Sequence, residues 1–202
     1  MSDSAISRFP ASLEPAFPVR RFTVEEYHRM GETGVLSEDD QVELLEGLVV
    51  PKMIRKPAHD AVVEMVRAAL SGVLPADWCI RSQSAITTED SEPEPDIAVV
   101  RGTPRDYLGH HPRPADVALI VEVADTSLDR DRKKQRVYAR AAIASYWIVN
   151  LPSGHVELYT HPSSTGDDPS YREETVFGRT SSVPLSVAGR HIADIPAVEL
   201  LP

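Results

Sequence analysis

Three features of the sequence predict an α/β fold built on a mixed central sheet flanked by helices. Nearly continuous apolar runs at Ile97 to Val100 and Ala118 to Val123 read as strands buried on both faces. Val62, Val63, Val66, Ala69 and Leu70 recur at helical spacing, which predicts a helix with one face buried against that sheet. Segments of the two kinds alternate along the chain with mixed connections, the pattern of a layered helix–sheet sandwich.

The elements follow in order. Pro10, Pro15 and Pro18 predict an extended arm at the start of the chain. In "RFTVEEYHRM", Thr23 is a helix N-cap, Glu26 closes a capping box three residues on, and Phe22 is placed to staple onto Tyr27. "QVELLEGLVVPKM" reads as two short strands turning near Glu46-Gly47 and ending at Pro51. The amphipathic helix follows from about His59, and then a strand over Trp78 to Ile86. After the two apolar strands, a helix is expected over Asp131 to Ala142. Next comes the strand "SYWIVNL", then a turn at Pro152-Ser153-Gly154 into "HVELYT", which together add a β-hairpin. "HPSSTGDDPS" is a polar loop and "YREETVF" an edge strand, while the tail from Val183 to Pro202 predicts no element.

A chain of 202 residues fits one domain, expected here as an arm over residues 1–21 and a single domain over 22–202. The lone Cys79 cannot form an internal disulfide and no signal-peptide pattern stands near Met1, so a cytoplasmic protein is expected. No apolar run approaches the roughly 18 residues that a membrane span needs, so no membrane role is expected. A net charge of -10 argues against a protein that coats nucleic acid indiscriminately, and directs attention to local basic surfaces.

The informative anomalies are acids lodged in apolar strands. Asp96 precedes "IAVV" and Glu122 sits inside "ALIVEVA", where an ionised carboxylate needs a cation or a proton. Singly, each has an ordinary explanation: Glu122 pairs with a nearby arginine, and Pro-Asp opens a turn. Together they precede the helix "DRDRKKQRVYARA", which gathers Arg130, Arg132, Lys133, Lys134, Arg136 and Arg140 in an otherwise acidic chain. That helix is either a solvated face or a phosphate-facing surface beside a metal site. Lys134 and Tyr138, four residues apart, share a face that aims the ammonium at the sheet while the arginines point outward. Glu92 and Glu94 are expected in water on the approach loop, and the adjacent His110 and His111 on a solvated one. No glycine-rich phosphate loop, Gly-x-Ser-x-Gly element or paired Cys-x-x-Cys is present.

The ordered string of Glu43 in "VELLEG", His59 after a proline-containing loop, "PEPDIAVV" and "LIVEVADTSLDRDRKKQRVYARAAIASYWIVNL" resembles the bacterial Uma-two family of restriction endonucleases. That family lies within the PD-(D/E)xK nuclease superfamily, and the resemblance runs from about Phe22 to about Tyr159. It implies a restriction-endonuclease-like fold and a metal-dependent endonuclease acting on DNA as a homodimer. Asp96 takes the place of the Pro-Asp aspartate and Glu122 that of the following acid. Two residues after Glu122, where the superfamily has lysine, this chain has Ala124. The resemblance moves that function to Lys134 on the helix, with Lys133 as the substitute. It implies Mg²⁺, with Mn²⁺ as a second choice, on Asp96, Glu122 and the carbonyl near Val123, with Glu43 and His59 completing the site. Arg130, Arg132, Lys133 and Arg136 would face the nucleic acid. The Ala124 departure leaves open a second reading, a nuclease-fold binding module that no longer cuts. A carboxylate-pair glycosidase would explain the acids but not the basic helix.

Overall fold

The structure, a computed structural model, describes residues 19–37, 39–164 and 168–202. The expected N-terminal arm lies outside the described residues up to residue 18. Helix α1 (Val24–Glu32) begins as the capping box requires: Glu26 N donates to Thr23 Oγ1 and Thr23 N to Glu26 Oε2, both at 3.1 Å. Strands β1 (Val42–Leu45) and β2 (Leu48–Pro51) form an antiparallel hairpin. Glu46 (φ 49°) and Gly47 (φ 75°) are both left-handed, as a two-residue turn between right-twisted strands demands. Gly47 is required twice over, because a Cβ there would lie 2.7 Å from Arg21 Cβ and 3.0 Å from Phe22 O.

Helix α2 (Pro57–Ser71) starts with proline at its first position, where no amide partner is lost. Six strands then form the main sheet: β3 (Trp78–Ser82), β4 (Ile97–Arg101), β5 (Val117–Ala124), β6 (Ser145–Asn150), β7 (His155–Ser163) and β8 (Ser170–Gly178), in that spatial order. All neighbours run antiparallel except β5 and β6, whose parallel pairing needs a crossover. Helix α3 (Leu128–Arg140) supplies it.

The central strands β4, β5 and β6 are buried on both faces, as the unbroken apolar runs predict. On one face Val62, Val63, Val66 and Leu70 of α2 pack with Ile97, Val99, Leu119, Val121 and Trp147. On the other, Tyr138 and Ala139 of α3 pack with Ala98, Ile120, Tyr146, Ile148, Tyr159 and Tyr171. Four tyrosines dominate this second layer, with ring centroids 5.0 to 6.2 Å apart from Tyr138 through Tyr146 to Tyr159 and Tyr171.

Four expectations need correction. The strand from Trp78 stops at Ser82 because Gln83 turns left-handed at φ 49°, and the chain reaches Ile86 outside the ladder. Helix α3 starts three residues before Asp131, at Leu128. The tail expected to be featureless forms a second hairpin, β9 (Ser182–Val187) with β10 (Arg190–Pro196). Its Val183, Leu185, Val187 and Ile195 join the α2 face of the core, an alternation present in the sequence but obscured by Pro184 and Pro196. The polar loop is also shorter than expected at its start, since β7 runs on to Ser163. No described helix is long and apolar enough to cross a membrane.

Candidate active site

Sheet register brings the two anomalous acids together. Ile97 stands opposite Val121 in the antiparallel β4–β5 pair, so the residue before the first falls beside the residue after the second. Asp96 N donates to Glu122 Oε2 at 3.3 Å, and Val123 N donates to Asp96 Oδ2 at 2.8 Å. Both carboxylates face the α3 side, where β5 leads through a short turn into the helix. One helical turn and a half later, Lys134 points back at the strand it came from.

Lys134 is buried and its Nζ lies 3.0 Å from Glu122 Oε1 and 3.1 Å from Glu43 Oε2. Tyr138, one turn further on, donates its hydroxyl to the same Glu122 Oε1 at 2.8 Å. Glu43 arrives from β1 and also accepts from Glu94 N at 3.1 Å and Arg130 Nη2 at 2.7 Å. His59, on the first turn of α2, holds Asp96 Oδ2 through Nε2 at 3.0 Å and reaches Asp60 through Nδ1 at 3.2 Å. Asp96, Glu122, Lys134, Glu43, His59 and Arg130 line a cleft of about 180 Å³, together with Gln83, Glu94, Ser127 and Asp131.

The cleft gathers more buried negative charge than it can neutralise. Burial pushes Glu122 up to about 8, with Asp96, Asp131 and Glu43 adding to the rise against the pull of Lys134. Burial likewise lifts Asp131 to about 6, opposed by the Ser127 hydroxyl and by Lys134. For Lys134, burial disfavours the charge, but Glu122, Glu43 and Asp131 outweigh it and hold the ammonium above its ordinary range. Glu43 is the exception among the acids: burial is overcome by Lys134, the Glu94 amide and Arg130, and its carboxyl is lowered. The His59 imidazole is raised, because Asp96 and Asp60 overcome its desolvation.

This donor set fits a hard, oxygen-ligated dication. Among the described residues, no three His, Cys, Asp or Glu side chains close around a single point. Mg²⁺ does not need them to, since it keeps several waters and binds through one or two carboxylates. Asp96 Oδ1 accepts no hydrogen bond among the described residues, and a cation would answer the burial and repulsion that lift Glu122.

The structure thus gathers Asp96, Glu122, Lys134, Glu43, His59 and the Val123 main chain at one place. Lys133 is exposed and does not line the cleft, leaving Lys134 as the α3 lysine there. The arginines of α3 do not form the open basic face that the sequence suggested. Arg130 is bonded to Glu43 and the Pro51 carbonyl, Arg132 to Glu157, and Arg136 to Glu46 and Asp168. Nor do Glu92 and Glu94 sit in water. Glu92 is buried, accepting from the Thr87 hydroxyl at 2.7 Å and contacting His28 at 2.8 Å, and Glu94 pairs with Lys52 at 2.6 Å. Asp131 was missed, although its place three residues before Lys134 puts it on the same helix face. His110 is exposed, as expected of a solvated loop.

Comparisons with known proteins bear on the fold and the family. The crystal structure of a "putative nuclease" from Anabaena variabilis superposes with a TM-score of 0.66, covering 89% of this chain and 97% of that one at 17% identity. This likeness shows the fold, a mixed α/β sheet of the nuclease type. No curated protein matches the chain significantly. The sequence model of the Uma2 family, described as "Putative restriction endonuclease", matches residues 24–194. Family and fold together support a nuclease. A match over this much of its length places the chain in the Uma2 family.

Proposed function

We propose that the protein is a metal-dependent endonuclease that hydrolyses phosphodiester bonds in DNA, with Asp96, Glu122 and Lys134 at its centre. The observation that carries this reading is a buried ammonium held on Glu122, beside Asp96, in one solvent-open cleft. Asp96 and Glu122, with the main chain at Val123, would hold Mg²⁺ or Mn²⁺. When bound, such an ion meets the charge of the phosphate and makes water a stronger acid.

The chain's own groups do the rest. Hydrolysis forms a bond from water oxygen to phosphorus, releases a water proton, and breaks the bond to the leaving oxygen. Lys134 is positioned to donate a hydrogen bond to the attacking water or to a non-bridging phosphate oxygen as negative charge develops. Glu43 and Tyr138 keep it useful: Glu43 holds the ammonium from the far side, and Tyr138 fixes the carboxylate that Lys134 touches. His59 holds Asp96 in the orientation that presents Oδ1 to the cleft.

The decisive assay incubates the protein with duplex, single-stranded and branched DNA and with RNA, in Mg²⁺, in Mn²⁺ and in chelator. Cleavage of DNA in either metal, lost in chelator and in folded Asp96→Ala and Glu122→Ala variants, is the expected result. Equal cutting by both variants removes these residues from the site. Metal binding without cleavage of any of these substrates rejects the enzyme reading.

A further inference from the structure

With the α3 arginines engaged by acids, the cations that face solvent at the cleft lie on another segment, the connection between β2 and α2. Its sequence is Lys52-Met53-Ile54-Arg55-Lys56, three cations around an apolar pair in a chain of net charge -10. Both stems are pinned. Lys52 N donates to Gln41 O at 2.7 Å and its ammonium pairs with Glu94 at 2.6 Å, while Lys56 pairs with Asp125 at 2.8 Å. The tip between them projects: Ile54 is 92% exposed and Met53 49%. Arg55 is also exposed and makes no hydrogen bond or ion pair among the described residues. Lys52, Met53 and Arg55 line the same cleft as Asp96 and Glu122, so the tip stands at its mouth.

We propose that residues 52–56 are a wedge for duplex DNA, with Arg55 on a backbone phosphate and Met53 and Ile54 entering between stacked bases beside the scissile phosphate. This rests on the nuclease reading above. The cleft is a narrow recess that takes a single phosphate group rather than a double helix, so local distortion of the duplex would seat its phosphate more deeply on Asp96 and Glu122. Apolar side chains inserted at a base step produce such distortion, and unbranched or β-branched aliphatic residues such as Met and Ile serve. Cations on both sides of an apolar pair match a target that is anionic at its rim and apolar inside, as stacked bases between phosphate strands are. A guanidinium with no partner among the described residues keeps its full set of donors for a phosphate.

The test measures binding, by anisotropy in chelator, to a short duplex carrying 2-aminopurine at its central step, for the parent, a Met53→Ser/Ile54→Ser variant and an Arg55→Gln variant. The parent should raise the 2-aminopurine fluorescence as the base unstacks. Met53→Ser/Ile54→Ser should abolish that rise and weaken binding about tenfold while leaving the salt dependence unchanged. Arg55→Gln should keep the rise and make the slope of log affinity against log salt shallower by about one. Full affinity and full fluorescence in the serine variant overturn the wedge. So does a loss confined to binding of phosphatidylserine vesicles, or a change in sedimentation with DNA binding intact, since these assign the tip to a lipid surface or to a second copy of the chain. The readout does not depend on cutting, so tip-dependent unstacking by a protein that never cleaves supports the wedge and rejects the nuclease reading alone.

Discussion

Glu122 and Glu157 occupy the same rung of the sheet, two strands apart, with Ile148 between them and both side chains turned toward α3. Each grips a cation of that helix, Glu122 the ammonium of Lys134 and Glu157 the guanidinium of Arg132. Their electrostatics diverge all the same. Glu157 is fully buried, yet Arg132, Tyr159, Asn150 and His155 all donate to it, and these bonds overcome desolvation to hold it at about 2. Glu122 has fewer donors and more acidic neighbours and is pushed up to about 8. One acid is satisfied by the fold, and the other holds a single cation against burial and three acidic neighbours.

This contrast predicts opposite stability effects. Glu157→Gln leaves Arg132 without its charge partner and a network of four donors mismatched, and should cost on the order of 3 kcal/mol. Glu122→Gln removes a charge that burial, Asp96, Asp131 and Glu43 oppose while Glu43 still holds Lys134, so in chelator it should leave the melting temperature unchanged or raise it, although it should abolish the proposed cleavage. Thermal unfolding of both variants in chelator checks the pair, and a larger loss at Glu122 than at Glu157 contradicts it.

The depressed carboxyl of Glu157 also sets a pH dependence. A folded value of about 2 against an ordinary 4.5 means that the stabilisation is complete above the unfolded value and is lost as pH falls through that window. Unfolding free energies of the parent and Glu157→Gln should therefore converge as the pH drops from about 5 toward about 2. Parallel curves across that range would show that Glu157 is not the titrating group.

The two lysines of α3 should separate cleanly in kinetics. Lys134→Met should lower the cleavage rate by about a hundredfold or more, and Arg should not restore it, because the longer planar head does not fit between Glu43 and Glu122. Lys133→Met, on the exposed side, should change the rate less than about threefold, acting through weak phosphate attraction alone. Single-turnover rates on folded protein decide this, and a severe Lys133 defect with an active Lys134 variant reverses the assignment.

At the hairpin turn, Gly47→Ala should destabilise by about 1–3 kcal/mol, since a Cβ there is strained by φ and meets Arg21 and Phe22. The same change displaces the strand that carries Glu43, so the cleavage rate should fall along with stability. Denaturant unfolding and single-turnover cleavage test the two effects independently.

Much of this was legible in the sequence, where periodicity and local chemistry coincide. The capping box at Thr23 and Glu26, the Glu46-Gly47 turn and the buried runs of β4 and β5 are set by nearest neighbours, and a linear reading finds them. The pairing of Asp96 with Glu122 was legible because each acid breaks an apolar run. What a linear reading misses is partnership across long separations. Arg132 looks like a surface cation until Glu157, twenty-five residues on, is folded beneath it. Glu92 looks solvated until Thr87 and His28 enclose it. The β9–β10 hairpin has the right alternation, but its prolines weaken the signal, and only the core it covers makes it a sheet.

The crossover from β5 through α3 has a consequence for the order in which the site comes into being. Glu122 and Lys134 lie only twelve residues apart, so their contact closes a short loop at little entropic cost. Asp96 stands twenty-six residues before Glu122, and Glu43 joins from a strand eighty-seven residues before Arg130. Contacts of such separation form late, when the sheet closes. The lysine and one acid can therefore meet in a nascent chain, while the acid pair and the hairpin that steadies the lysine belong to the finished one. Any cutting power is thereby withheld until folding is complete.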